Sequence, residues 1–352
     1  MGKRPTIKDI AQAAHVSIAT VSRVLNHNPL VTPDMKQRVL KAAHELNYIP
    51  NTAAQSLKTN RSNTIGFVIS DIYSDALITA ARAAEGIIAR ENYNMILCST
   101  ENDPERERNY LEMLMSKNVD SIVLNTTGRN MDFVLEIDRQ IPLVLFNRKI
   151  ADHRFMGDLI DSNNYHGSYQ LTKQLLALGH RRILLVRGPS YLSNAEERYE
   201  GFAAAMAEEG IDVSRDYPYI FSGEFCRETG AAAVDFLLSM EEPPTAVVSQ
   251  NVTMSEGILS RANARHINIP EDLSFVSYDG IPNAELMMVR PTSAVYDTAK
   301  MGEQIGRSVL ERIKTPNLPS RSYIFDPLIV QGNSLAEPSD TLAKRLCAAR
   351  AN

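Results

Sequence analysis

The chain has 352 residues, 44% of them hydrophobic and 22% charged, with a formal net charge of −5. That length exceeds what one hydrophobic core commonly serves and implies two or three domains. Its three cysteines, Cys98, Cys226 and Cys347, stand far apart with no CxxC. They exclude a disulfide framework and a zinc site and fit a reducing cytoplasm; no apolar leader and no membrane-length apolar run is present.

The charge is unevenly placed. Residues 1–61 hold nine Lys/Arg against three acids (Asp9, Asp34, Glu45), a balance of +6, so the remainder carries −11. A basic head on an acidic body implies that the head meets a polyanion and the body does not.

The head begins with Thr6 to Asn26, TIKDIAQAAHVSIATVSRVLN. Thr6 is a candidate N-cap, and Ile7, Ile10, Ala11 and Ala14 recur at helical spacing. Ser17 offers a second cap for Ile18–Asn26, where Val21, Val24 and Leu25 face one way and Ile18, Ala19, Ser22 and Arg23 the other. Two helices on so short a connection form a helix-turn-helix, whose second helix enters the DNA major groove. Its outer face is suited to DNA, with Ser17 and Ser22 for phosphates, Ile18 and Ala19 for thymine methyls, and Arg23 for a guanine O6/N7 pair. The competing reading is an amphipathic helical hairpin that packs on protein. Thr32-Pro33 opens a third helix with Val39, Leu40, Ala43 and Leu46 as its apolar stripe, and the three make a headpiece over 1–49. Residues 50–61 follow as a hinge or plain linker. Leu57, next to Lys58, is the only large apolar side chain between Pro50 and Ile65, and so short a helix orders only against a partner.

From Asn63 strands and helices alternate. Strands are expected at 64–70, 93–100, 121–125, 142–147, 159–161, 182–187, 219–222, 245–249 and 273–278. Helices separate them, and a last helix at 297–314 and a segment at 323–330 cross back between lobes. This rhythm implies an α/β architecture, parallel sheets covered on both faces, and its ten or so strands fit two doubly wound lobes better than one sheet. Ligands of such sheets bind beyond the carboxyl ends of the strands. There stand Asp71 and Tyr73, Thr100 and Asn102, Asn147 and Arg148, Ser162 and Asn163, Phe225, Gln250 and Asn251, and Asp279. Such groups suit a small polyhydroxylated ligand. The chain carries no GxSxG, HExxH, Walker A loop or GxGxxG after a strand, so it is read as no enzyme, with no metal and no cofactor. His180 reads as structural.

The segments TIKDIAQAAHVSIATVSRVLN, YIPNTAAQSLKTN, TIGFVISD, VDSIVL, PLVLFNR, LGHRRILLVRGP, RYEGF and IPEDLSFVSYDG together resemble the LacI/GalR family of bacterial transcription regulators, from about Thr6 to about Pro338. The resemblance implies a headpiece (1–49), a hinge helix (50–61), a periplasmic-binding-protein-like effector and dimerisation core (62–338) and a tail (339–352). Lobe 1 of the core would span about 62–161 and 294–323, lobe 2 about 162–293 and 324–338. It implies a cytoplasmic repressor that binds a palindromic operator as a homodimer. Thr6, Ser17, Ile18, Ala19, Thr20, Ser22, Arg23 and Asn26 would meet DNA, and with them the hinge residues Ala54, Gln55, Leu57 and Lys58, Leu57 as a minor-groove wedge. Asn147, Arg198, Phe225, Asn251 and Asp279 match effector-pocket positions, with Tyr73 and Tyr296 beside them, for a sugar or sugar derivative. A corepressor or a non-sugar effector is the alternative, a solute-binding protein the rival. Several positions depart from the family pattern. His15 replaces a bend glycine, Gln55 a hinge Arg, Ser74-Asp75-Ala76-Leu77 an Asn-Pro-Phe-Phe, Asn251-Val252 an Asn-Asp and Tyr296-Asp297 a Gln-Pro. Leu342 and Leu346 in the tail span about one heptad, short of what a tetramerising coiled coil wants.

Overall fold

The structure, a computed structural model, describes residues 5–25, 30–48, 61–214, 216–315 and 317–350. The chain forms two compact units, Met1–Ser62 and Asn63–Asn352. Asn26 and the expected hinge, with Ala54, Gln55, Leu57 and Lys58, lie outside the described residues.

In the first unit, α1 (Ile7–Ala13), α2 (Ile18–Leu25) and α3 (Pro33–Glu45) each begin at a capped end. The Asp9 carboxylate accepts from both Thr6 N and Thr6 Oγ1 at 2.7 Å, Ser17 Oγ accepts from Thr20 N at 3.0 Å, and Thr32 Oγ1 accepts from Met35 N ahead of Pro33. The bend between α1 and α2 falls on His15 at φ +51, a left-handed conformation that His bears better than most side chains. Ile10, Ala11, Ala14, Val21, Val24, Val39 and Ala42 form the small core. The expected stripe on α3 is shifted: Leu40 is exposed and Ala42 takes the inner place beside Val39.

The second unit contains two six-stranded sheets. The first runs β11-β5-β4-β3-β1-β2 and comprises β1 (Thr64–Ile69), β2 (Asn94–Ser99), β3 (Ser121–Leu124), β4 (Leu143–Phe146), β5 (Asp158–Ser162) and β11 (Ser322–Phe325). The second runs β12-β10-β9-β8-β6-β7 and comprises β6 (Ile183–Arg187), β7 (Ile220–Ser222), β8 (Ala246–Ser249), β9 (Ser274–Tyr278), β10 (Thr292–Val295) and β12 (Leu328–Val330). All pairings are parallel except β10 with β12. The central strands are buried along their length, as strands covered on both faces are.

Helices cover both faces of each sheet. In lobe 1, α4 (Asp75–Ile88) and α11 (Thr298–Lys314) close one side through Leu77, Ala84, Met301, Ile305 and Val309, and α5 (Pro104–Ser116) and α6 (Met131–Asp138) the other through Leu111, Leu114, Val134 and Ile137. Helices α4 and α11 approach so closely that a Cβ on Gly302 would stand 2.2 Å from the Ala80 carbonyl oxygen. In lobe 2, α7 (Asn164–Ala177) and α8 (Ser193–Glu208) lie on one side, α9 (Arg227–Ser239) and α10 (Val252–Ala264) on the other. His180 is buried between Thr245 Oγ1 at 2.8 Å and Ala336 O at 2.9 Å, a structural role.

The chain crosses between lobes three times, and each crossing is later than expected. β5 ends at Ser162, β10 keeps Thr292–Val295 in the second sheet, and β11 keeps all of Ser322–Phe325 in the first. The lobe limits at 161, 293 and 323 therefore move to 162, 295 and 325. At the second and third crossings the cause is that β10 and β11 are four residues long, too short to show a period; at the first the shift is a single residue.

The tail is helical, α12 (Thr341–Arg350), and lies on lobe 2. Leu342 is 3% exposed in the core of α9 and α10, with Leu346 beside it. Arg345 reaches Asp272 at 2.6 Å, and Arg182 reaches Asp340 at 2.6 Å. The two leucines thus bind their own lobe. Leu342→Ala should lower unfolding stability by about 2–4 kcal/mol, read in urea, while light scattering gives the wild-type mass. Loss of assembly at unchanged protomer stability would instead make the tail an oligomerisation element.

Candidate operator-reading face and interlobe cleft

On α2 the apolar stripe buries Val21 and Val24, which leaves Ser17, Ile18, Ala19 and Arg23 exposed and Thr20 and Ser22 half-buried. One exposed face therefore carries a guanidinium, two apolar groups, Ile18 and Ala19, and hydroxyls. The Ser17 and Thr20 hydroxyls lie 2.9 Å apart, so each already has one partner, and the Thr6 hydroxyl is held by Asp9.

In the second unit the strand order reverses between β1 and β3 and again between β6 and β8, which opens a crevice at the carboxyl ends of both sheets. The inner end of that crevice is a cavity of about 40 Å³ lined from lobe 1 by Ser70, Asp71, Asn102, Asn147 and Arg148, and from lobe 2 by Asn194, Arg198, Phe225, Asn251 and Asp279, with Tyr296 at a crossing. Of the residues expected to meet effector, six line it. Tyr73 does not: it is 92% exposed and stands at the outer mouth. Ser74 caps α4, and Ala76 and Leu77 give the cavity a small aliphatic wall.

Arg198 holds the lobe 2 side together. It is 1% exposed; Nε donates to Asn164 Oδ1 at 2.9 Å, Nη1 donates to Gln250 O and lies 3.7 Å from Asp279 Oδ2, and Cζ sits 3.7 Å over the Tyr278 ring. Burial pushes the Asp279 carboxyl up, against the pull of Arg198 and of a hydrogen bond from the Tyr296 hydroxyl. On the lobe 1 side Arg148 donates to Thr126 O and to Asn102 Oδ1, both at 2.9 Å; burial, with the like charge of Arg198, brings it down to about 10. Asn147 and Asp279 follow β4 and β9 at φ +58 and +67, left-handed turns that Asn and Asp bear best and that lift both side chains out of the sheet ends. Asn251 also caps a helix, since its Oδ1 accepts from Thr253 N at 2.8 Å in the first turn of α10. Phe225 lies flat on Gly188, where a Cβ would be 2.2 Å from the ring.

Four side-chain atoms on this lining are buried without a partner among the described residues, the donors Arg148 Nε and Arg198 Nη2 and the acceptors Asn147 Oδ1 and Asp279 Oδ1. A buried polar atom left unpaired costs about 1–3 kcal/mol, so the cavity is built to pair with something else. At about 10–15 Å³ per water centre, the inner cavity holds a few waters and no sugar ring. A ring-sized molecule enters only if the lobes part or Phe225 swings aside. Sequence reasoning missed Asn194 and Thr253; Arg148, Asp71 and Asn102 were named as strand-end candidates but not among the positions matched to the family's pocket. Asn194 was within reach, since it precedes Arg198 by one helical turn. Asn163, though it follows a strand end, turns away to cap α7 and bind Asp326.

Asp161 stands behind Arg198, accepting from Ser162 N at 2.7 Å and Asn164 Nδ2 at 3.3 Å; burial, then the charge of Glu197, raise its carboxyl from 3.8 to about 7. A folded value above the unfolded one favours the fold at low pH. The contribution is present below about pH 3.8 and is lost as pH rises through about 7. Asp161→Asn should therefore melt above wild type at pH 8 by up to a few kcal/mol, at roughly 1.4 kcal/mol per pKa unit, and match it at pH 4. A difference that stays flat over that range would mean that the carboxyl titrates normally.

The model of the lacI family of bacterial regulatory proteins matches residues 6–51, and that of a periplasmic binding protein-like domain matches 172–335. The chain is 33% identical over 334 residues to the HTH-type transcriptional repressor PurR of Vibrio cholerae, covering 94% of this chain and 98% of that one. It is 33% identical over 311 residues to PurR of Haemophilus influenzae, covering 88% and 91%. The fold matches that of the lac repressor dimer bound to operator and the anti-inducer ONPF, with a TM-score of 0.82 over 95% of this chain and all of that one at 22% identity. With a third of its residues shared with those repressors along nearly its whole length, the chain belongs to the lacI family of bacterial regulatory proteins and is a DNA-binding transcriptional repressor.

Proposed function

We propose that the chain binds a palindromic operator in the cytoplasm as a homodimer, with α2 in the major groove, and that a small uncharged effector in the cleft releases it. The observation that carries the DNA reading is the exposed face of α2, Ser17, Ile18, Ala19 and Arg23, with Thr20 and Ser22 at its edge. Thr6 and Asn26 would touch phosphates at the ends of the motif. Ala54, Gln55, Leu57 and Lys58 would follow the minor groove, where paired Leu57 side chains open the central base step at a cost of a few kcal/mol repaid by the bend.

The effector reading rests on Asn147, Arg198, Phe225, Asn251, Asp279 and Tyr296, which surround one cavity with donors, acceptors and a ring face. Tyr73 would act, if at all, at the mouth. A sugar or sugar derivative meets these groups through its hydroxyls and its apolar ring face. An effector that instead promotes operator binding is the alternative, and one titration of operator complex with effector distinguishes the two by sign. Effector between the lobes favours one lobe orientation, which alters the spacing of the two chains near residue 62. A coupling of about 1–3 kcal/mol suffices for control of that kind.

The test is selection of operator from random-sequence DNA by the full chain, followed by gel shifts at rising salt. On the selected operator, Arg23→Ala should weaken specific binding by about 1–3 kcal/mol and relax preference at one base pair per half-site. Equal loss on specific and non-specific DNA would reduce Arg23 to a phosphate contact.

Because Arg198 is enclosed, its removal would unpair Asp279 and Asn164 and cost about 3–5 kcal/mol of stability, which makes it a poor probe of binding. Asp279→Asn keeps the volume. It should retain operator affinity below a melting temperature lowered by the loss of the counter-charge to Arg198, while losing the response to effector. A retained response would take Asp279 out of the pocket.

A further inference from the structure

Beyond Phe225, Asn102 and Thr253, which line both spaces, the inner cavity opens into an outer chamber of about 950 Å³. Acid dominates its walls. Glu101 is paired with Arg106 at 2.7 Å and Glu256 with Arg227 at 2.6 Å. Asp71, Asp75, Glu224 and Glu228 also line the chamber and, among the described residues, have no cationic side chain within ion-pair distance. Against these four carboxylates stands one guanidinium, Arg129, stacked 4.2 Å over the Tyr191 ring. Four negative charges around a partly enclosed space set up a potential that repels anions before they reach the inner cavity.

The inner end points the same way on separate grounds. Its unpartnered atoms are two donors, Arg148 Nε and Arg198 Nη2, and two acceptors, Asn147 Oδ1 and Asp279 Oδ1. Both arginines are nine-tenths buried or more. A phosphate or carboxylate would serve the donors but set its oxygens against the two acceptors. Hydroxyls, amides and ring N–H groups serve both. We infer that the cleft takes an uncharged or cationic ligand and turns away the phosphorylated or carboxylated form of the same molecule, with Asp71, Asp75, Glu224 and Glu228 as the charge filter. This rests on the reading of the cleft as the effector site.

Cys226 allows the filter to be measured without knowing the effector. It lines the chamber and is half-buried, whereas Cys347 is exposed on α12 and Cys98 is buried. The full-length protein is treated with two methanethiosulfonates of similar size, one bearing a trimethylammonium and one a sulfonate, and modification is followed at each cysteine by peptide mass spectrometry. The cation-to-anion rate ratio at Cys226, divided by that at Cys347, should be about fivefold or more at low salt. It should fall toward one in the Glu224→Gln, Glu228→Gln double variant. Cys226 also caps the N-terminal end of α9, whose dipole favours anions. A ratio at or below one would show that the helix end prevails and would overturn the filter. The ratio is read with no effector present, so it can fail while effector control of operator binding stands. Operator release supplies the ligand arm, with glucose and glucose 6-phosphate, and adenosine and its 5′-monophosphate, as matched probes. Release by a phosphorylated member at a lower concentration than its uncharged partner would also overturn the inference.

Discussion

A guanidinium with almost no access to water must find its partners inside the protein, and Arg198 draws lobe 2 together around that need. Its partners come from the first turn of α7, the loop after β8 and the turn after β9, with the β9 ring of Tyr278 beneath it. The carboxyl ends of the central strands are thereby fixed relative to one another before any ligand arrives. A guanidinium has five N–H donors, and the chain does not use them all. The two left over on Nη2 belong to a group whose position is already determined, so little ordering remains to be done on binding.

Lobe 1 meets the same requirement with Arg148, held by the 126 carbonyl and by Asn102. Behind it, the fully buried carboxylate of Glu107 accepts from Thr127 N, Thr127 Oγ1 and Asn130 Nδ2, and so fixes the loop that offers the 126 carbonyl. Two cations facing one another across a small cavity repel, and Asp279 and the surrounding amides offset this only in part. The closely apposed lobes therefore hold an interface whose balance a single polar molecule can tip. A site that must report occupancy as a change of shape needs that balance more than it needs affinity.

Much of this was legible in the sequence, and the reasons differ by element. The headpiece shows itself through cap residues at fixed distances from apolar stripes, a purely local signal. The βα rhythm is equally local, since buried parallel strands read as apolar runs. Six of the seven residues expected at the effector site come together because strand ends converge wherever strand order reverses. The misses are of another kind. Tyr73 was expected inside because aromatics close sugar sites, yet the Asp71 carboxylate accepts from the Tyr73 backbone N–H and the tight turn carries the side chain outward. The place of Leu342 depended on an uncovered patch between α9 and α10, a tertiary fact that no short window of sequence records. Nor did the ends of β10 and β11 show, since strands of four residues take their register from neighbours.

The three crossings also bear on how the protein is made. Residues 63–162 supply five strands of the first sheet, but the edge strand β11 and the helix α11 come from the far side of lobe 2. A nascent chain emerging from the ribosome could lay α4 on the sheet but would present its other side, around Ala80, Ala83, Ala84 and Ile87, without the helix that covers it. At about 5–20 residues per second, the covering helix follows on the order of ten seconds later. Lobe 2 lacks only β12 and the tail by that point, so it has the shorter wait. The first lobe to be synthesised thus waits longest for its covering helix, and during translation its uncovered α4 face is the place where a chaperone, or a second nascent chain, would meet it.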